Sequence, residues 1–198
     1  MQLVVDWDGT VTEGDTLHAV IARFGDLDVF HAMEAEIGRR LTLNEVIAIE
    51  MATVTAPLDD VVRYLLETVR LRPGFAEPAE HRDPLVVSAG FHELIDPLLE
   101  RDGIQVRVIA NNVTGDPAGW RTDFADLAPC EVCGEACKRV VLGDLDGFAF
   151  AGDGVSDRCV SLAASRLFAR DGLAAWLDAQ GVAYEPFADF YELEAALR

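Results

Sequence analysis

The chain opens with an unbroken apolar run, Leu3-Val4-Val5, followed at once by Asp6, Asp8 and Gly9. A continuous β-branched run suits a strand covered on both faces, since alternation is needed only where one face meets water. The polar residues after it form an exit loop. Beyond Thr12 the apolar spacing becomes helical: DTLHAVIARFG, DVFHAMEAEIGRR, TLNEVIAIEMATV and LDDVVRYLLETVRL follow one another, with Asp15, Thr42 and Asp59 near the helix starts. From Asp83 the signal alternates. PLVVSAG reads as a strand and glycine turn, FHELIDPLLERDG as a helix, IQVRVIA as a strand and GFAFAGDG as a strand and turn. A helix near 156–165, a strand RLFA, a helix GLAAWLDAQG and a last helix in FYELEAAL complete the pattern. Strands alternating with helices predict an α/β fold, a doubly wound, Rossmann-like parallel sheet. The helical stretch at 14–80 is then a cap inserted into a core made of residues 1–13 and 81–198.

At 198 residues and 51% hydrophobic composition, the chain can bury a large core. Thirty-five acidic against 16 basic residues, a net charge of −19, argue against a nucleic-acid partner, which would meet a basic face. No run of about 18 apolar residues predicts a membrane span. Asp6 and Asp8 leave no room for a signal peptide, so the expected setting is cytoplasmic.

The polar loops supply the chemistry. In a doubly wound sheet the ligand site lies beyond the carboxyl ends of the strands. DWDGT, SAG and GDGVSD each follow a strand, so Asp6, Asp8, Ser88, Asp153 and Asp157 are expected to converge. Clustered carboxylates become tolerable around a hard divalent cation, and Mg²⁺ takes a few carboxylates together with substrate phosphate oxygens. An anionic substrate still needs a protein cation. Lys138 is the candidate: it is the only lysine, and the other 15 basic residues are arginine. A second D-x-D-G, Asp144 to Gly147, precedes its strand and reads as a turn containing Asp144 and Asp146. A calcium loop of the EF-hand type is excluded at Asp6, where glycine falls at the fourth place.

In the order and spacing of these four motifs the chain resembles the haloacid dehalogenase superfamily of phosphohydrolases. The resemblance implies that Asp6 is the nucleophile and that Asp8 protonates the leaving oxygen and then activates water. It also implies that Mg²⁺ is held by Asp6, the Asp8 carbonyl and Asp153, with Asp157 in support. Gly9, Thr10, Ser88, Ala89 and Gly90 would bind the phosphoryl group of a small phosphorylated metabolite, the last three at a helix start. VVSAGFHELIDPLL, PCEVCGEACKR and FARDGLAAWLDAQGVAYEPFADFYEL look like the branch typified by 2-hydroxy-3-keto-5-methylthiopentenyl-1-phosphate phosphatase. Phosphoserine is less expected as substrate, because Asp15 stands where phosphoserine phosphatases carry glutamate and their carboxylate-binding arginine has no match. A phosphotransferase passing the group to another alcohol fits the same motifs.

In the cap, Asp15, His18, Arg39 and Arg40 are candidates to face the site, although each also reads as a cap, a solvated charge or a packed ring; His31, His81 and His92 carry less weight. Cys130, Cys133 and Cys137 form C-x2-C-x3-C. The favoured reading is reduced thiols packed beside Lys138. Zinc, completed by Cys159 or a histidine, and a disulfide are the alternatives.

Overall fold

A computed structural model describes residues 1–198. The chain runs β1 (Leu3–Val5), α1 (Thr16–Phe24), α2 (Leu27–Glu34), α3 (Leu43–Met51), α4 (Leu58–Thr68), α5 (Ala76–His81), β2 (Leu85–Phe91), α6 (His92–Arg101) and β3 (Arg107–Thr114). It continues as β4 (Arg121–Asp123), α7 (Lys138–Leu142), β5 (Ala149–Gly152), α8 (Arg158–Ser161), β6 (Arg166–Ala169), α9 (Asp171–Gln180), β7 (Glu185–Pro186) and α10 (Phe190–Leu197). The seven strands form one sheet in the order β4-β3-β2-β1-β5-β6-β7, parallel except where β4 runs against β3. The connections diverge from β1, with β2 on one side and β5 on the other, and this opens the crevice of a doubly wound sheet above β1.

Side-chain alternation divides the strands between two cores. Leu3, Val5, Val86, Ala149, Ala151 and Phe168 face one apolar layer, while Val4, Leu85, Val87, Phe150 and Leu167 face the other. Both faces are covered, which is why the strands read as continuous apolar runs.

Helices α1–α4 lie between β1 and β2, and the chain leaves and returns across an antiparallel bridge between Thr12 and Leu71. Their starts follow local chemistry. The Asp15 side chain accepts from the His18 amide, Asp26 caps α2, and Thr42 and Glu45 cap α3 reciprocally. Helix α4 starts after Pro57, so Asp59 falls in its first turn, where its charge complements the helix dipole, and not at the cap. Trp120, at the head of β4, ties the insert to the sheet: its amide donates to the Val54 carbonyl at 3.0 Å and its indole N–H to the Ala56 carbonyl at 2.8 Å. Gly119 makes this approach possible, since a Cβ there would lie 2.4 Å from the Ala52 carbonyl oxygen and the backbone has φ +123°.

Three expectations change. Strand β2 continues through Ser88, Ala89 and Gly90 to Phe91, with a register shift between Val87 and Phe91, and α6 begins only at His92. The helix expected near 156–165 is a 3₁₀ turn, Val155–Asp157, followed by the single-turn α8. Strands β4 and β7 have three and two residues, too few to produce periodicity. No helix is long and apolar enough to cross a membrane.

Candidate active site

The exit loops of β1, β2 and β5 meet. Asp6 leaves β1 with its amide bonded to the Ala151 carbonyl of β5 at 2.9 Å, and the residue is only 4% exposed. The turn after it, Trp7–Val11, places Gly9 at φ +70°. A Cβ at Gly9 would lie 2.2 Å from Asp153 Oδ2, so glycine allows the β5 carboxylate to rest against the first loop. Thr10 Oγ1 donates to Asp153 Oδ1 at 3.1 Å. On the other side a Cβ at Gly90 would be 3.2 Å from Ser88 Oγ and 3.3 Å from Asp8 Oδ2.

Lys138 is buried at the start of α7, and its ammonium donates to Asp6 and to Asp157 Oδ1, the latter at 2.7 Å. Burial alone would discharge this lysine, but the Asp157 and Asp6 carboxylates outweigh it and hold its pKa above the ordinary value. Asp6 is pushed well up by burial and by Asp157, against the pull of Lys138. Asp157 is fully used: Oδ2 accepts from the Asp153 and Gly154 amides at 2.9 and 3.0 Å, and Oδ1 takes the lysine.

Asp8 has different company. Thr16, the first residue of α1, donates to its Oδ1 through the backbone amide at 2.7 Å and through its hydroxyl. Burial and the nearby Asp15 charge nevertheless raise the Asp8 pKa to about 7. One loop therefore carries an aspartate facing a lysine and another poised to hold or release a proton near neutrality.

Carboxylate oxygens of Asp6, Asp153 and Asp157 lie within 4.8 Å of one another. Burial and the Asp157 charge raise the Asp153 pKa to about 6, so the single Lys138 ammonium does not balance the three carboxylates. With Asp157 occupied, Asp6 and Asp153 are the carboxylates left to turn toward a cation, and such hard oxygen donors suit Mg²⁺.

Ser88 is buried, and its Oγ accepts from the Gly90 amide at 2.9 Å, while the Ala89 carbonyl accepts from Asn111 Nδ2 at 2.9 Å. Residues 88–90 thus belong to the bulged end of β2 and not to a helix start. A mostly apolar cavity of about 390 Å³ opens beside Ser88 and Lys138, bounded by Ile37 and Leu43 of the insert and by Ala89, Leu127 and Trp176.

Other candidates stay apart. Asp15 caps α1, His18 packs on Phe30, Arg39 and Arg40 are exposed with Arg40 paired to Glu36, and His92 faces Asp96 on α6. His31 and His81 are exposed, as are Asp144 and Asp146 in the turn before β5. None of the four cysteines is paired in a disulfide in this structure.

Sequence reasoning missed Thr16 and Arg72. Buried Arg72 donates through Nε to the Thr10 carbonyl at 2.8 Å and through Nη2 to Gly9 and Thr12 at 2.7 and 3.1 Å, bracing the loop from within. Nothing around Arg72 marks it in sequence; Thr16 directly follows the Asp15 cap and gave the only available hint.

A parallel sheet with an acidic, lysine-bearing site at its strand ends defines an α/β enzyme. The model of the haloacid dehalogenase-like hydrolases matches residues 3–161. The 2-hydroxy-3-keto-5-methylthiopentenyl-1-phosphate phosphatase of an Exiguobacterium species is 26% identical, over 99% of this chain and 96% of its own length; that of Geobacillus kaustophilus is 28% identical, over 99% and 94%. Among solved structures, a phospho-aspartyl intermediate analogue of phosphoserine phosphatase superposes with a TM-score of 0.73 at 17% identity, covering 98% of this chain and 97% of that one. The chain belongs to the haloacid dehalogenase-like hydrolase family and is a phosphatase, a hydrolase of phosphoric monoesters.

Proposed function

We propose that the enzyme hydrolyses the phosphate monoester of a small metabolite through a phosphoaspartate on Asp6. The observation that carries this reading is the contrast within one loop: Asp6 faces the Lys138 ammonium, whereas Asp8 faces Thr16 with its pKa near 7. Asp6 attacks phosphorus as the ester bond breaks, and Asp8 gives its proton to the departing oxygen. Asp8, now a carboxylate, takes a proton from water as that water attacks the phosphoaspartate, releasing phosphate and restoring Asp6. Lys138 holds charge against the equatorial oxygens, Ser88 and the amides of the first loop orient them, and Asp157 fixes the lysine. Asp6, Asp153 and the Asp8 carbonyl would hold Mg²⁺, which when bound neutralises charge on the phosphoryl oxygens.

For the substrate, the apolar cavity beside Lys138 supports an ester with a compact apolar arm, and the full-length relatives support 2-hydroxy-3-keto-5-methylthiopentenyl 1-phosphate or a close analogue. A panel of phosphate esters assayed with and without Mg²⁺ tests both levels. The expected result is Mg²⁺-dependent turnover with kcat/KM higher for that ester than for phosphoserine. Preference for phosphoserine would reject the substrate, whereas undiminished turnover by Asp6→Asn would reject the mechanism.

A further inference from the structure

The loop between β4 and α7 carries Cys130, Cys133 and Cys137, and α8 brings Cys159 against it. All four Sγ atoms lie within 4.8 Å of one another, with Cys130 and Cys159 3.7 Å apart. Four thiolates about 2.3 Å from a central Zn²⁺ occupy tetrahedral corners roughly 3.8 Å apart, so one sulfur pair already has that spacing and the whole cluster is within about 1 Å of the size of a four-cysteine zinc site. We propose that Cys130, Cys133, Cys137 and Cys159 bind one zinc ion that fastens the Lys138 loop to the Asp157 segment.

The local backbone is built for thiolates. The Val132 amide points at Cys130 Sγ from 3.4 Å. The turn after Cys130 closes with the Gly134 amide on the Cys130 carbonyl at 2.8 Å, and Gly134 takes φ +78°, a conformation that glycine adopts without strain. Cys137 stands at the N-cap of α7, directly before Lys138. Zinc binding at these sulfurs would displace the thiol protons to solvent as four Zn–S bonds form.

The site's position gives it a task. Cys137 immediately precedes Lys138, and Cys159 lies two residues after Asp157, the fixed carboxylate that Lys138 grips. The residues from Phe124 to Cys137 contain no helix or strand, so little else defines where Lys138 enters the site. A metal joining the two segments holds the lysine in register with Asp6. Sequence favoured reduced thiols packed beside Lys138 and left the fourth zinc ligand open between Cys159 and a histidine; the return of α8 brings Cys159 to the loop.

The test is metal content of the full chain, purified in reductant without chelator. We expect one zinc per chain, four thiols protected from a disulfide reagent until the metal is stripped, and a thiolate-to-metal charge-transfer band when Co²⁺ replaces zinc in the wild-type protein. Cys130→Ser and Cys159→Ser should reduce zinc to near zero. Asp153→Asn, which alters the acidic site, should keep it. Stripped wild-type protein that fails to take up stoichiometric Zn²⁺ would overturn the proposal, and this measurement does not depend on a variant folding. Zinc retained by both cysteine variants, or a mass lower by one disulfide, would overturn it equally.

Discussion

Two acidic clusters handle buried charge differently. At the strand ends, Asp6 and Asp157 share Lys138, so carboxylates that are almost fully enclosed remain ion-paired. In the insert, Glu50 of α3 is 3% exposed, its Oε1 has no hydrogen-bond partner, and the charges nearest it are Glu34 and Asp15. Burial, then those two carboxylates, push its pKa to about 8. A buried carboxylate is kept ionised by a partner or becomes neutral by taking a proton. In the first cluster a lysine opposes the upward push of burial, whereas the second has no cation and is a protonated acid at neutral pH. Asp15 links them, since its charge also raises Asp8.

The comparison breaks most completely if its central anion is removed. Asp6→Asn keeps the shape of the site but removes the proposed nucleophile, and we expect turnover to fall on the order of a millionfold, the scale seen when a covalent nucleophile is lost. Phosphate release in single-turnover assays measures it. Chelating the divalent ion should likewise stop turnover, and Mg²⁺ should restore it; full activity after chelation would contradict a metal-assisted mechanism.

Exchanging the cation is a finer cut. Lys138→Arg preserves net charge, but its larger planar fork does not fit a space sized for a compact ammonium, and kcat should drop roughly 100-fold, the scale of losing one preorganised donor. Lys138→Ala should also lower stability by about 3–5 kcal/mol in magnesium-free buffer, because two buried carboxylates lose their common partner. Denaturant unfolding reads this directly, and an unchanged midpoint would mean that the pair is not buried in solution.

The smallest effect sharpens the other side. The folded pKa of Glu50, about 8, exceeds the ordinary glutamate value of 4.5. The folded state therefore binds the extra proton between those values, and stability falls as pH rises through that window and levels off above pH 8. Glu50→Gln should remove this contribution, gaining on the wild type by up to about 1.4 kcal/mol per pH unit across the window. Parallel stability curves for the two proteins from pH 5 to about 8.5 would show that Glu50 finds a partner in solution.

Much of the first cluster was legible in one dimension. Asp6, Asp8, Asp153 and Asp157 follow apolar runs that only a covered strand explains, and Lys138 is the sole lysine among 16 basic residues. The second cluster was not. Glu50 lies in a helical run that reads as solvated on one side, and no local pattern says which face α2 covers. Arg72 escaped for a related reason: its hydrogen bonds run to carbonyls 60 or more residues earlier, and backbone acceptors leave no trace in side-chain identity.

The sequence by itself determined the doubly wound sheet, the helical insert, the helix starts at Asp15 and Thr42, and the residues gathered at the strand ends. These follow from periodicity, capping and the rule that ligands meet parallel strands at their carboxyl ends, all of which act over short stretches of chain. Tertiary structure alone decided which carboxylate Lys138 grips besides Asp6, that Thr16 rather than a basic residue meets Asp8, and that Cys159 joins the three cysteines of a distant loop. Such pairings depend on where long connections return, and their energies come from burial and proximity, which exist only once the chain has folded.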